Sequence, residues 1–439
     1  MITTISNYYL LITNYLITHS PFLYLVQSLW RDEAFSVVLA EHNFLDIVRL
    51  TANDYNPPLY YLLLHFWMKI FGQSEISVRM LSFLFHILLT YIAYLFVKKF
   101  LKSKFFIFNF SFLIFFNPML LYYAFEARMY SLLALLATLS MYHFYQKNWL
   151  WHIVFTTLGL YTQPFMIFVL LTQLIYLILT SDLKGKIIKL ITPLILYSPW
   201  ILIIFNQFKQ SSQSWIHPAD FRLVISSLGN LFLGFNGHPS FLWNFTKILS
   251  LIILFFSLKV IHFARKKNPP ALLFFFWVFL PLSLTLLISF FKPIYVNRYL
   301  IFITVGEIFL ITLGIEKIAN KIFRKIFIFC FLFFVFCFNF WFAPFHKKRD
   351  FRKTMMEINQ LATPKDIILV NSAISFFETI YYAEDRSICF IFNQRGISIP
   401  SYIGKAIIPQ DKILTKLPSY PNRAFLIYKD ASFEIVYKK

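Results

Sequence analysis

Asp32 and Glu33 stand together in Leu29-Trp30-Arg31-Asp32-Glu33-Ala34-Phe35, an acidic pair with apolar residues on both sides. Partial desolvation raises a carboxyl's affinity for a proton, and a carboxylate so placed can take a proton from an attacking group. Asp32 is the strongest single candidate for such a base. The same pair also reads as an ordinary acidic first turn of a surface helix, since Asp near a helix start is routine.

A second constellation runs Asp54-Tyr55-Asn56-Pro57-Pro58-Leu59-Tyr60-Tyr61, followed by His65 and Arg79. Proline is tolerated in a first helical turn, so Pro57 and Pro58 can present Asn56 at the mouth of the next helix. The bland alternative is that the prolines only start the helix and that Tyr60 and Tyr61 are interfacial anchors. A third cluster is Glu126, Arg128 and Tyr130 within Tyr123-Ala124-Phe125-Glu126-Ala127-Arg128-Met129-Tyr130. Charges beside long apolar runs are costly unless paired or facing a polar cavity, so they are functional suspects by default. An ion pair of Glu126 with Arg128 or Arg79 is the structural alternative. Arg298, in Asn297-Arg298-Tyr299-Leu300, repeats the placement of arginine at a helix end. Guanidinium groups suit phosphate, and a lipid phosphate fits that recurrence.

The elements that must carry these residues follow from composition. Of 439 residues 59% are hydrophobic and only 14% charged, which excludes a single water-soluble fold. Helices are expected near residues 7–27, 78–97, 105–121, 127–145, 149–162, 164–180, 187–206, 243–263, 270–291, 297–315 and 323–343, eleven in all, each set against a hydrocarbon core about 30 Å thick. Residues 149–180 are one kinked helix or two, depending on the turn at Tyr161-Thr162-Gln163-Pro164. The opening thirty residues lack a basic leader and a small-residue cleavage site and read as a retained first helix.

With the N-terminus inside, the inner connections hold Lys98, Lys99, Lys102, Lys104, Lys147, Lys184, Lys186, Lys189, Lys259, Arg265, Lys266, Lys267, Lys317, Lys321, Arg324 and Lys325 against two acids, Asp182 and Glu316. The formal charge of +21 is therefore mainly a topology signal rather than a nucleic-acid footprint. Residues 28–77 form an outer loop with surface helices over Arg31–Leu50 and Leu59–Phe71. Residues 345–439 form a small outer α/β domain, with a helix at Phe351–Leu361 and strands at Asp366–Asn371, Ser387–Phe392 and Ala424–Tyr428. The expected fold class is an all-α polytopic membrane domain, 1–344, N-in and C-out, followed by that domain. The three cysteines, Cys330, Cys337 and Cys389, make no disulfide framework. No HExxH, GxGxxG or Walker spacing appears, so a metal has no visible ligand set and ATP or a nucleotide sugar no visible site.

Taken in order, Ser28-Leu29-Trp30-Arg31-Asp32-Glu33-Ala34-Phe35-Ser36, Asn56-Pro57-Pro58-Leu59-Tyr60-Tyr61, Tyr123 to Tyr130 and Asn297-Arg298-Tyr299-Leu300 resemble the ordered motifs of bacterial GT-C glycosyltransferases. The nearest branch is that of the protein O-mannosyltransferases and the lipid A aminoarabinose transferase, and the resemblance spans roughly residues 20 to 310. It implies a multi-pass inner-membrane enzyme that inverts the anomeric centre. Sugar would move from a polyprenyl-phosphate donor to an envelope glycan, lipid or protein on the outer face. The family's first-loop catalytic aspartate falls on Asp32, within the pair Asp32-Glu33. Arg79 and Arg298 would neutralise the leaving phosphate, with Tyr60 or Tyr61 donating hydrogen bonds. Asp54, Asn56, Glu126, Arg128, Tyr130 and Tyr299 would hold sugar or acceptor. Many relatives have His-Pro-Pro where this chain has Asn56-Pro57-Pro58, and Tyr-Thr-His-Tyr where it has Tyr161-Thr162-Gln163-Pro164, which weakens any metal role; a divalent cation stays open but unsupported. The competing classes are a lipid or glycan transporter or flippase, a surface-polysaccharide polymerase or ligase, and a non-catalytic assembly protein. Polar residues gathered at one face rather than at the midplane speak against the transporter.

Overall fold

A computed structural model describes residues 13–210, 215–264 and 269–438. Among the described residues six helices are long and apolar enough to cross a membrane, and a bent pair brings the number to seven. The six include Glu75–Val97, Leu242–His262 and Asn297–Glu316. Their outward faces expose Leu202, Phe255, Phe329 and Phe333, which hydrocarbon solvates and water does not.

Four of the remaining expected helices are present but shorter or broken. The one at 105–121 is the bent pair Lys104–Phe116 and Pro118–Ala124, at 52° to each other. Asn117 makes the break: its Oδ1 accepts the Leu120 N–H at 3.1 Å, while Pro118 has no N–H to continue the first helix. The next begins only at Tyr130 and runs to Tyr145. The turn at residues 161–164 is real, ending Trp149–Leu160 and leading through a 3-10 turn into Ile167–Leu179. Of the first expected helix, residues 7–12 lie outside the described residues, and the rest is interrupted at 19–21, where Pro21 stands.

The described residues fall into two compact units. The first takes in Met80–Leu202 and Ser214–His346. Its centre is aromatic: Phe309 stacks on Phe274 at 4.2 Å and meets Phe110 at 4.5 Å. Lipid offers no hydrophobic drive between helices, so such contact and close backbone approach must hold them. Helix Phe221–Leu233, absent from the sequence expectation, shows the second means. At 13 residues it is too short to register as a span; Asp220 caps its start and Gly234 its end in the left-handed region, at φ 71°. Midway, the Gly229 N–H donates to Ser250 Oγ at 2.7 Å, and a methyl group at Gly229 would collide with the Thr246 carbonyl oxygen.

The second unit joins Leu25–Arg79, Ile203–Gln213 and Lys347–Lys439, so the loop at residues 28–77 and the C-terminal segment share one core. The expected surface helix 31–50 is two, Arg31–Ala40 and Phe44–Ala52, because Asn43 caps the second by accepting the Asp46 N–H at 3.0 Å. Leu59–Phe71 and Phe351–Leu361 match expectation to the residue. The C-terminal sheet has five strands in the order β3-β2-β1-β4-β5: β1 Ile367–Val370, β2 Cys389–Phe392, β3 Ile413–Leu414, β4 Ala424–Ile427 and β5 Phe433–Val436. The central strands β1 and β4 pair in parallel, Leu369 opposite Leu426, and their unbroken apolar runs are what burial on both faces requires.

Replacing Gly229 by Ala is expected to force the two helices apart at a cost of about 1–3 kcal/mol. The check is the thermal unfolding midpoint of protein held in nanodiscs, and an unchanged midpoint would disprove the close approach.

Candidate functional site

In the second unit, residues 25–33 are set by one side chain. Arg79 Nε donates to Glu33 Oε1 at 2.8 Å and Nη2 to Glu33 Oε2 at 2.7 Å. Nη1 donates to the carbonyls of Leu25 and Gln27, at 2.9 and 2.6 Å, and Nη2 also to that of Ser28 at 3.2 Å. These bonds occupy the full set of five N–H donors that a guanidinium carries. Both side chains of the pair are 0% exposed. Glu33 Oε2 also meets Lys348 Nζ at 3.2 Å and reaches back to the Trp30 N–H at 3.4 Å, as a third-position glutamate does at a helix start.

Asp32, one residue earlier on the same first turn, has a different setting. Its side chain is 13% exposed and pairs with Arg31 Nε at 2.8 Å. The first turn of a helix is also where an ionised carboxylate is favoured. The helix holds because Ser36 Oγ donates to the Asp32 carbonyl at 2.8 Å and Phe35 packs edge to face on Tyr61 at 6.1 Å. Tyr60 and Tyr61 are wholly buried. The Asp54 turn is internally bonded, with Asn56 Nδ2 donating to Asp54 Oδ2 at 3.3 Å, while Gln207 Nε2 donates to the carbonyls of Ala52, at 3.0 Å, and Asp54.

The C-terminal segment supplies contacts that nothing in the sequence pattern announced. The Tyr382 hydroxyl accepts the Leu29 N–H at 2.7 Å and is bonded to Glu75. Burial pushes the Tyr382 phenol well above its ordinary range, so it stays an O–H donor to that carboxylate. Arg352 pairs with Glu75 at 2.6 Å, and Arg386 grips Glu41 with Nη2 at 2.9 Å from Oε1. No local periodicity links residues 277 to 353 positions apart, so only the folded chain reveals these partners.

In the first unit, Glu126 and Arg128 lie in the turn between Pro118–Ala124 and Tyr130–Tyr145, with the Arg128 N–H donating to the Glu126 carbonyl at 2.7 Å. The turn is not helical, so Glu126 and Tyr130 are not related by helical spacing. Both, with Arg128, are buried. The Tyr123 hydroxyl is hydrogen-bonded to the Asn236 side chain and lies within electrostatic reach of Glu126 and Arg298. Asn297 Nδ2 steadies that loop through the Phe235 carbonyl at 2.6 Å. The Arg298 guanidinium is 5.7 Å from the Tyr130 ring, 6.0 Å from Tyr299 and 5.4 Å from Trp215, and unlike Arg79 it keeps partial exposure. Tyr123 opens the motif that holds Glu126 and Arg128, whereas Trp215 and Asn236 carry no signal in the sequence that marks them for this place. Among the described residues no three His, Cys, Asp or Glu side chains gather as a metal site.

Leaving either member of the Glu33–Arg79 pair alone in the interior should cost about 3–5 kcal/mol, so Arg79→Met or Glu33→Met alone should abolish most folded protein. The double variant, which removes both members of the pair and strands only the partly exposed Lys348, should recover a larger folded fraction than either, measured by size exclusion of detergent extracts. Equal loss in all three would refute the charge-pair account.

Residues 55–206 match the family model described as dolichyl-phosphate-mannose-protein mannosyltransferase. No curated protein sequence matches the chain. The fold is similar to that of ArnT from Cupriavidus metallidurans in the apo state, with a TM-score of 0.62 at 10% identity over 97% of this chain and 93% of that one. The same protein bound to undecaprenyl phosphate also gives 0.62, at 12% identity over 96% and 93%. Archaeal oligosaccharyltransferase AglB from Archaeoglobus fulgidus, in complex with an inhibitory peptide and a dolichol-phosphate, gives 0.51 at 10% identity over 83% of this chain and 61% of that longer one. The chain therefore shares its fold with ArnT over nearly its whole length, and residues 55–206 carry the sequence pattern of the mannosyltransferase family model.

Proposed function

We propose that this multi-pass membrane protein is an inverting glycosyltransferase that moves a sugar from a polyprenyl-phosphate donor to an acceptor on the outer face of the bacterial inner membrane. The observation that carries the reading is the contrast within one helical turn: Glu33 is wholly buried, whereas the Asp32 side chain keeps 13% exposure beside Arg31 on a firmly held backbone. The similarity in fold to ArnT bound to undecaprenyl phosphate supports a lipid phosphate as leaving group.

In the transfer, an acceptor oxygen or nitrogen attacks C1 of the sugar as Asp32 takes its proton. The bond from C1 to the phosphate oxygen breaks, and the electron pair leaves with the polyprenyl phosphate. One carboxylate suffices, because a phosphate needs no protonation to depart. Arg298 is the cation for that developing charge, since it is partly exposed and its aromatic neighbours fix the plane of its guanidinium. Glu126, Arg128, Tyr130 and Tyr299 serve sugar or acceptor. Glu33 and Arg79 are reassigned from chemistry to holding the loop, and Tyr60 and Tyr61 to its core, because their burial leaves them no open face. Asp54 and Asn56 keep the turn before helix Leu59–Phe71.

Asp32→Asn should lower transfer by about 10²–10⁴-fold while leaving folded protein at the wild-type level. The measurement is mass spectrometry of membrane lipids and surface glycans from cells with matched expression. One product should lose a sugar while its lipid-phosphate donor accumulates; unchanged products and donor pools would overturn the assignment.

A further inference from the structure

The first unit contains a cleft that the proposed transfer does not use. It lies between helices Lys104–Phe116 and Lys321–Phe342, over Ile301–Glu316, and is lined by Phe106, Leu113, Phe331, Leu332 and two polar residues, Asn109 and Thr312. Phe105, Phe108, Phe329 and Phe333 on the same two walls are exposed, so this part of the bundle meets hydrocarbon. Asn109 and Thr312 are buried, yet Asn109 Nδ2 and Thr312 Oγ1 have no hydrogen-bond partner among the described residues. Both atoms can donate, and a donor left unpaired away from water costs stability. What the pair calls for is an acceptor oxygen.

One end of the cleft is cationic. The Arg324 guanidinium lies 5.2 Å from the Phe106 ring, and its Nη1 donates to the Glu316 carbonyl at 2.9 Å, while Nε and Nη2 make no hydrogen bond to any described residue. Lys321 and Lys325 share the opening turns of that helix, and its first turn holds no acid. Glu316 is turned to Lys317, at 3.5 Å. A helix start carries partial positive charge of its own and ordinarily attracts acids, so three cations there favour an anion. Asn320 already accepts the Ile322 and Phe323 N–H groups, each at 3.0 Å, which leaves the side chains as the anion's partners.

We propose that this cleft binds one anionic glycerophospholipid from the leaflet that meets these helix ends. The phosphate sits at Arg324, an ester carbonyl accepts from Asn109 or Thr312, and an acyl chain lies along Leu113, Phe331 and Leu332. The depths agree. Asn109 is five residues beyond Lys104, about 7.5 Å along the axis, and the headgroup layer on one side of a bilayer is about 5–8 Å thick. Ester carbonyls lie at the base of that layer. The general bias of basic residues to one side of a membrane accounts for the cations but not for two unpaired donors beneath them. Hydrocarbon offers those donors nothing, whereas a lipid ester offers an acceptor at their level.

The experiment uses the purified full chain in detergent, with dioleoylphosphatidylglycerol, dioleoylphosphatidylcholine or inorganic phosphate added. Retained lipid is counted by native mass spectrometry, and the unfolding midpoint is followed in parallel. Phosphatidylglycerol should stay bound as a single molecule and raise the midpoint, while phosphatidylcholine is retained less. Arg324→Gln should weaken phosphatidylglycerol on the order of tenfold or more, as loss of a charged hydrogen bond requires. The double variant Asn109→Leu, Thr312→Val should weaken it about fivefold, the worth of one neutral hydrogen bond, yet leave the lipid-free midpoint unchanged or higher, because apolar groups replace unpaired donors. Lys189→Gln removes a cation that lies over the Trp149 ring on other helices and should change nothing. Equal retention of the two lipids, full retention in Arg324→Gln, or the same loss in Lys189→Gln overturns the proposal. A midpoint rise with inorganic phosphate alone overturns it too, since that marks a bare anion site. If Arg324→Gln does not fold, the double variant decides, and undiminished phosphatidylglycerol binding there rejects the lipid.

Discussion

The buried pair of Glu33 and Arg79 is the constraint on which the loop at residues 28–77 depends. An arginine and a glutamate taken fully out of water pay heavily in hydration, and two parallel hydrogen bonds alone seldom offset it. Here the guanidinium also takes up the carbonyls of Leu25, Gln27 and Ser28, backbone groups that would otherwise face a dry interior with no partner. The pair therefore does more than neutralise itself. It dictates the path by which the chain enters helix Arg31–Ala40, and so the place of every residue on that helix's first turn.

The same residue types meet opposite fates within a few positions, and geometry explains why. Successive residues on a helix point about 100° apart, so Asp32 and Glu33 cannot share an environment. Glu33 turns to Arg79 and Lys348; Asp32 turns to Arg31 and keeps access. The two arginines divide likewise. Arg79 donates to acceptors built into the fold, while Arg298 is framed by Tyr130, Tyr299 and Trp215, rings that orient a cation through their π-faces.

Much of the architecture was legible because its signals are local. Apolar length marked the long spans, and the runs IILV, CFIF and AFLI announced strands of a buried sheet, whereas the break at Asn117-Pro118 falls inside a stretch that reads as one helix. What escaped notice was non-local or below threshold. Helix Phe221–Leu233 is too short to resemble a span, and β3, with two residues, offers no period at all. The outer loop and the C-terminal segment were expected to stand apart, at 28–77 and 345–439, yet Tyr382, Arg352 and Arg386 tie them into one unit. Charge and side of the membrane singled out Arg79 and Arg298 alike, because exposure cannot be read from type.

That tie bears on how one carboxylate suffices for transfer. In the transfer proposed above a departing phosphate needs no acid, so the requirement narrows to a base held within hydrogen-bond reach of the acceptor. Loops are mobile by default, and misplacement by about 1 Å can cost 10²-fold in rate. If Asp32 is the base, as proposed, the loop that carries it must be made rigid by something other than itself. In this chain the rigidity comes from Arg79 beneath the loop's backbone and from the C-terminal helix Phe376–Tyr382 against Arg31–Ala40. On this account the C-terminal segment acts on the chemistry through the loop it supports, and needs no substrate contact of its own to do so.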